Sequence, residues 1–257
     1  MRCKVKKANL LILISIILST ACKPQHDYKL NIAVAANMQF AMKELSKAFT
    51  NQTGIACDLI IGSSGKLTAQ IKEGAPFDIF VSADMKYPND LFKSGHTSTV
   101  PKIYAYGKLV LWSMIDDTEP SIDILNTSEI KHIAIANPKT APYGIAAIQV
   151  LNQHGIYESI KGKLVFGESI SQTNQFITSK SAEIGFTSKS IVLSPQIKGK
   201  GNWVDIPNTD YSAIRQAVVI LKNKNNLQDY AQAFHDFLFT DNAKNILENY
   251  GYSVKRQ

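Results

Sequence analysis

Four short stretches carry the residue types that could do chemistry: Ala35-Ala36-Asn37, Gly62-Ser63-Ser64-Gly65, Ala141-Pro142-Tyr143-Gly144 and Ser169-Ile170-Ser171. Each sets small, hydroxyl or amide residues where a strand is expected to give way to a helix. The first turn of a helix leaves backbone N–H groups without partners and carries about half a unit of positive charge, so it attracts anions. Four such starts facing one cleft would hold an anion without any lysine or arginine. Taken singly, Ser, Asn and Gly at these positions also serve as N-caps, each worth about 1 kcal/mol. Asn37 and Ser64, both preceded by small residues that let a ligand approach, carry the binding reading furthest.

Enzyme signatures fit less well. Gly65-Lys66 is the glycine–lysine pair of a phosphate-cradling loop, but Ile60 stands where that loop's first glycine belongs. A nucleophile elbow would need glycine in place of Lys66. His26, His96, His132, His154 and His235 have no metal-ligand spacing. Asp78 and Asp84 flank one strand and could act as acid and base, although solvation of strand ends accounts for both. Asp116-Asp117 reads as a turn, and Trp112 and Trp203 as packing residues. An exported hydrolase using Ser64 or Tyr143 would lack a neighbouring His or Lys base. A surface adhesin would bind no small anion.

The elements that must position these residues alternate. Leu30 to Ala35 reads as a buried strand, Met38 to Asn51 as a helix, Ala56 to Ile61 as a strand, then a helix through Lys72 and a strand from Phe77 to Ser82. Ile103 to Ser113 reads as one long extended stretch. A second series follows: strands His132 to Ala136, Lys163 to Phe166 and Glu183 to Thr187, with helices Gly144 to Gln153 and Ser171 to Lys180 between them. Ile214 to Lys222 is another extended run, and helices Asn226 to Phe239 and Asp241 to Tyr250 close the chain. Alternating β and α elements imply an α/β fold with mainly parallel sheets. A complete α/β series between two long strands implies two lobes, two crossings and a central cleft. The expected division is 29–107 plus 223–257 for the first lobe and 108–222 for the second.

The net charge of +7 has a local source. Arg2, Lys4, Lys6 and Lys7 precede an apolar run, Ala8 to Leu18, that ends in Ser19-Thr20-Ala21. This is the pattern of a secretory signal over 1–21, too short to span a bilayer permanently. Removing it takes four positive charges and no negative one, leaving +3. Nucleic-acid binding loses its support. Leu18 to Cys22 resembles a lipobox, with Ser19 where Leu is usual, and either a lipoprotein or an ordinary signal peptidase would leave Cys22 first. Acylated Cys22 would tether the protein to a membrane without spanning it. Cys57 is then the only thiol of the folded part, so no internal disulfide is expected. A composition 45% hydrophobic and 19% charged excludes disordered, collagenous and polytopic membrane chains.

Longer matches extend this reading. They are Leu30 to Asn37, Gly62 to Gly65 with Ala69-Gln70-Ile71, Gly74 to Asp84, Gly107 to Ser113, Ala136-Asn137-Pro138 with Ala141 to Gly144, and Ala182 to Phe186. In this order, from Lys29 to Tyr252, the chain resembles the periplasmic molybdate-binding proteins of ABC transporters. The resemblance implies a type II periplasmic binding fold closing over a tetrahedral oxyanion, molybdate or tungstate, held through its oxygens. It implies ligand groups on Asn37 with the Ala36 backbone, on Ser64, on Tyr143 and on the Ile170 backbone. Members with Ala at the Tyr143 position use a Tyr that would align near Ser188, so here the hydroxyl is expected from Tyr143. Ser63, Ser171 and Ser188 are further candidates. The implied protein is an exported monomer, not an enzyme and without cofactor, that serves a membrane permease. Sulfate, thiosulfate or phosphate is the alternative ligand.

Overall fold

The computed structural model describes residues 29–222 and 227–255. The signal segment, Cys22 and His26 lie outside the described residues. The chain opens as its hydrophobic pattern predicts. Strand β1 (Lys29–Ala35) leads through a 3-10 turn (Ala36–Met38) into α1 (Gln39–Thr53). β2 (Ala56–Gly62) leads into α2 (Ser64–Lys72), and β3 (Ile79–Ser82) into α3 (Lys86–Lys93). β4 (Lys102–Gly107) and β5 (Leu109–Ser113) follow. The second series comprises β6 (Ile133–Ala136), α4 (Pro142–Gln153), α5 (Tyr157–Ile160), β7 (Leu164–Gly167), α6 (Ile170–Thr178), β8 (Ile184–Ser188) and the single turn α7 (Lys189–Val192). β9 (Asn202–Asp205), β10 (Ile214–Ile220), α8 (Gln228–Phe237) and α9 (Asp241–Asn249) complete the chain.

Two five-stranded sheets result, ordered β2-β1-β3-β10-β4 and β7-β6-β8-β5-β9. In each, three parallel strands carry the α/β alternation, while β10 and β5 run antiparallel to their neighbours. β3, β6 and β8 are buried along their whole length, as near-continuous apolar runs covered on both faces should be. The first sheet packs α1, α8 and α9 on one face through Met42, Leu45, Phe49, Phe234 and Leu247. On its other face α2 and α3 cover Phe80 with Leu67, Ile71 and Leu91. A third cluster fills the second lobe and reaches the cleft, where Ala36 of the first lobe meets Tyr143 and Ile170 of the second.

Two expectations are corrected. The run Ile103–Ser113 is not one strand: it breaks at Lys108, β4 joining the first sheet and β5 the second. The crossing therefore lies at Gly107-Lys108, between two apolar runs that belong to different sheets. β10, expected within the second lobe's 108–222, is paired in the first sheet between β3 and β4. The return crossing thus falls before Ile214, not at Lys222.

Candidate functional site

Register brings the helix starts together within each lobe. Ala35, at the end of β1, pairs with Gly62 at the end of β2, and Ala136 of β6 pairs with Gly167 of β7. The chain leaves each of these strand ends toward a helix start, so α1 and α2 begin side by side, as do α4 and α6. Carboxyl ends of strands in open α/β sheets are where ligands bind. Local chemistry fits each start. Ser63 caps α2 by accepting from Lys66 N–H at 3.4 Å, and Ser169 caps α6 by accepting from Gln172 N–H at 3.5 Å. Pro142 occupies the first turn of α4, where its missing N–H costs nothing.

The lobes then meet face to face. Gly65 N–H donates to the Thr140 carbonyl at 2.9 Å, setting the start of α2 against the approach to α4. The Ser171 hydroxyl donates to Gln39 Oε1 at 3.1 Å, setting the start of α6 against α1. At the rim the Tyr87 hydroxyl donates to the Lys139 carbonyl at 3.1 Å, and Lys66 pairs with Glu168 at 2.8 Å. Ala36, Asn37, Ser64, Tyr143 and Ile170 are all buried where the four starts converge.

Counting donors separates the expected ligand groups. The Ser64 hydroxyl accepts from Ala83 N–H at 3.0 Å, which leaves its own proton free. Asn37 differs from expectation, because its amide donates to Gln216 Oε1 at 2.9 Å and to the Tyr252 hydroxyl at 3.0 Å. Both amide protons are used, so its backbone N–H is the donor left for a ligand. The Tyr143 hydroxyl is buried near Asn37 and Tyr252 and completes no hydrogen bond among the described residues. It abuts Gly107 at the crossing, where a Cβ would lie 2.1 Å from it. Ser171 spends its proton on Gln39, Ser63 accepts in its cap and keeps its own, and Ser188 lies 2.8 Å from Ser190. Sequence reasoning missed Gln216 and Tyr252, whose signal is their pairing with Asn37 across most of the chain.

Burial, followed by the hydroxyls of Tyr252, Tyr211 and Tyr104, holds the Tyr143 hydroxyl well above the ordinary tyrosine range. An acid whose pKa is raised keeps its proton to higher pH, so Tyr143 stays a neutral donor. Oxyanion affinity is expected to be flat between about pH 6 and pH 9. Calorimetry at both ends checks this, and a loss toward the alkaline end would reveal an ionising donor.

The other candidates serve structure. Asp78 accepts from Asn31 N–H at 2.8 Å, and Asp84 accepts from Tyr87 N–H at 3.4 Å. His132, His154 and His235 pair with Glu183, Asp210 and Asp236. Among the described residues no group of three or more His, Cys, Asp or Glu is placed to hold a metal ion. A surface groove of about 600 Å³ between α1 and β2 is lined by Phe40, Cys57 and Ile61 and reaches Gln39 at the start of α1. Burial there pushes the Cys57 thiol up to about 12.

The bacterial extracellular solute-binding protein family matches residues 30–253 of this chain. The molybdate-binding protein ModA of Azotobacter vinelandii is 40% identical over 242 residues, 91% of this chain and 93% of the relative. ModA of Rhodobacter capsulatus is 40% identical over 224 residues, 86% of each chain. Among solved structures, a periplasmic molybdate-binding protein of Azotobacter vinelandii superposes with a TM-score of 0.83 at 32% identity, covering 88% of this chain and 100% of that one.

Proposed function

Since the chain belongs to the bacterial extracellular solute-binding protein family, we propose that it captures molybdate or tungstate outside the cytoplasmic membrane and delivers it to the permease of an ABC importer. The observation that carries this reading is the burial of four helix starts, two from each lobe, around neutral side chains only. The ligand set is Ser64 through its free hydroxyl, Tyr143, and the backbone at Ala36, Asn37 and Ile170. Helix-start N–H groups and hydroxyl protons donate, which suits a fully deprotonated dianion over a protonated phosphate that needs an acceptor. Because donors come from both lobes, the ion favours the closed state by its differential affinity for it. Relatives 40% identical are molybdate-binding proteins. Export by residues 1–21, with a tether through Cys22, completes the proposal.

Titration of the mature protein with molybdate, tungstate, sulfate and phosphate tests it. Molybdate at about 100 times its dissociation constant should stabilise the fold by about 2.7 kcal/mol, read as a thermal shift. Sulfate and phosphate should give far less. Equal shifts with sulfate would replace the ligand and leave the binding fold intact.

A further inference from the structure

We propose that Tyr252 and Gln216 are positioning residues for Asn37, and that Ser190 makes Asn37's posture depend on closure of the lobes. The proposal deepens the oxyanion reading and rests on it for the choice of ligand. Asn37 is gripped from two sides. Its amide nitrogen is held by Gln216 and Tyr252, as above, while its backbone carbonyl accepts from Ser190 Oγ at 2.6 Å and from the Tyr252 hydroxyl at 3.0 Å. Gln216 Nε2 reaches the Ala83 carbonyl at 3.4 Å, on the residue whose N–H is bound by Ser64. Ser190 Oγ lies 2.8 Å from Ser188 Oγ and 3.0 Å from the Tyr252 hydroxyl. All five side chains are buried.

Two proton assignments, differing only at Tyr252, are compatible with these contacts. Ser190 spends its proton on the Asn37 carbonyl, so it accepts from Ser188. Tyr252 accepts from the Asn37 amide and points its single proton at either the Asn37 carbonyl or Ser190. Buried polar networks with every member satisfied rigidify what they hold.

The network straddles the cleft. Asn37, Gln216 and Tyr252 belong to the first lobe, Ser188 and Ser190 to the second. The C-terminal stretch makes the contact possible. Gly251, at a φ of 78°, passes so close to α7 that a Cβ would lie 2.9 Å from both Lys189 and Leu193. A bridge between Tyr106 and Ser253 fixes the same stretch to β4. Opening the lobes breaks both bonds to Ser190 and leaves the Gln216–Asn37–Tyr252 set in place. The start of the Ala36–Met38 turn is therefore fully braced only in the closed molecule.

Ser190→Ala deletes the bonds that cross the cleft and, with them, the Ser188 contact inside the second lobe. It should weaken molybdate binding about tenfold through faster dissociation, leaving association unchanged, whereas Ser188→Ala, which removes the contact inside the lobe alone, should leave dissociation unchanged. Tyr252→Phe should weaken binding more than Ser190→Ala, and the variant combining these two should cost less than their sum. A purely structural role would instead lower the unliganded melting temperature and leave dissociation alone. Affinity and dissociation within twofold of the parent in both Ser190→Ala and Tyr252→Phe, or additive losses in the double, would overturn the proposal. The same variants are run against tungstate, sulfate and phosphate. If the parent binds one of these and not molybdate, the ligand assignment falls and the brace is judged on the anion that binds. If it binds none of the four, both fall.

Discussion

Asn37→Ala combined with Ser64→Ala is expected to abolish the molybdate-induced thermal shift and weaken binding at least about 100-fold. Ser64 contributes twice. Its free proton is a donor to the dianion, and hydrogen bonds to charged groups are worth about 1.5–3 kcal/mol. Its oxygen also satisfies Ala83 N–H, which alanine would leave buried without a partner at a cost of about 1–3 kcal/mol. Asn37 acts through its posture: without the carboxamide, Gln216 and Tyr252 lose the group they hold, and the turn that begins α1 loosens. The double variant should still fold, with a lower melting temperature, so calorimetry below that temperature reads binding alone. Undiminished affinity would place the site elsewhere.

Gly144→Ala should produce the largest loss of fold stability. A Cβ there would sit 2.0 Å from the Ala136 carbonyl oxygen and 2.9 Å from Pro138 N. These are backbone atoms at the end of β6 and just beyond it, so no rotamer change relieves the overlap and α4 must move off the sheet. Overpacking costs about 1–3 kcal/mol where side chains can yield; a clash with backbone should reach about 3 kcal/mol or more. For a protein of this size that lowers the melting temperature by roughly 6–12 °C. Because α4 begins at the cleft, anion affinity should fall too. Thermal unfolding with and without molybdate measures both, and an unchanged melting temperature would mean that the close approach is not a constraint.

The alternation of strands and helices was legible from hydrophobic period alone, and so were the four junctions. What escaped depends on partners distant in sequence. The run from Ile103 to Ser113 is apolar on both sides of Gly107-Lys108, and that pair alone does not say that the chain changes sheets; the difference shows only in packing, β4 being partly exposed and β5 buried throughout. No element was expected over α3, where Pro88 stands in the first turn and its missing N–H is harmless. β9 is short and mostly exposed, with no pattern to mark it. The site shows the same division. Asn37 and Ser64 could be singled out from their neighbours, but the use of Asn37's amide could not, because Tyr252 lies beyond the last helix as one tyrosine among ten. The Tyr143 hydroxyl, proposed above as a ligand donor, also lies against Gly107, a contact that only the crossing creates.

The interleaving of β10 between β3 and β4 dictates an order of assembly. All strands of the second sheet are synthesised before β10, so that half can be completed while the other still lacks its middle partner. Until β10 arrives β4 has no neighbour, and until Tyr252 arrives the turn at Asn37 is unbraced. A nascent molecule that has not yet added Tyr252 would carry one finished half beside one whose anion-facing turn is still unbraced.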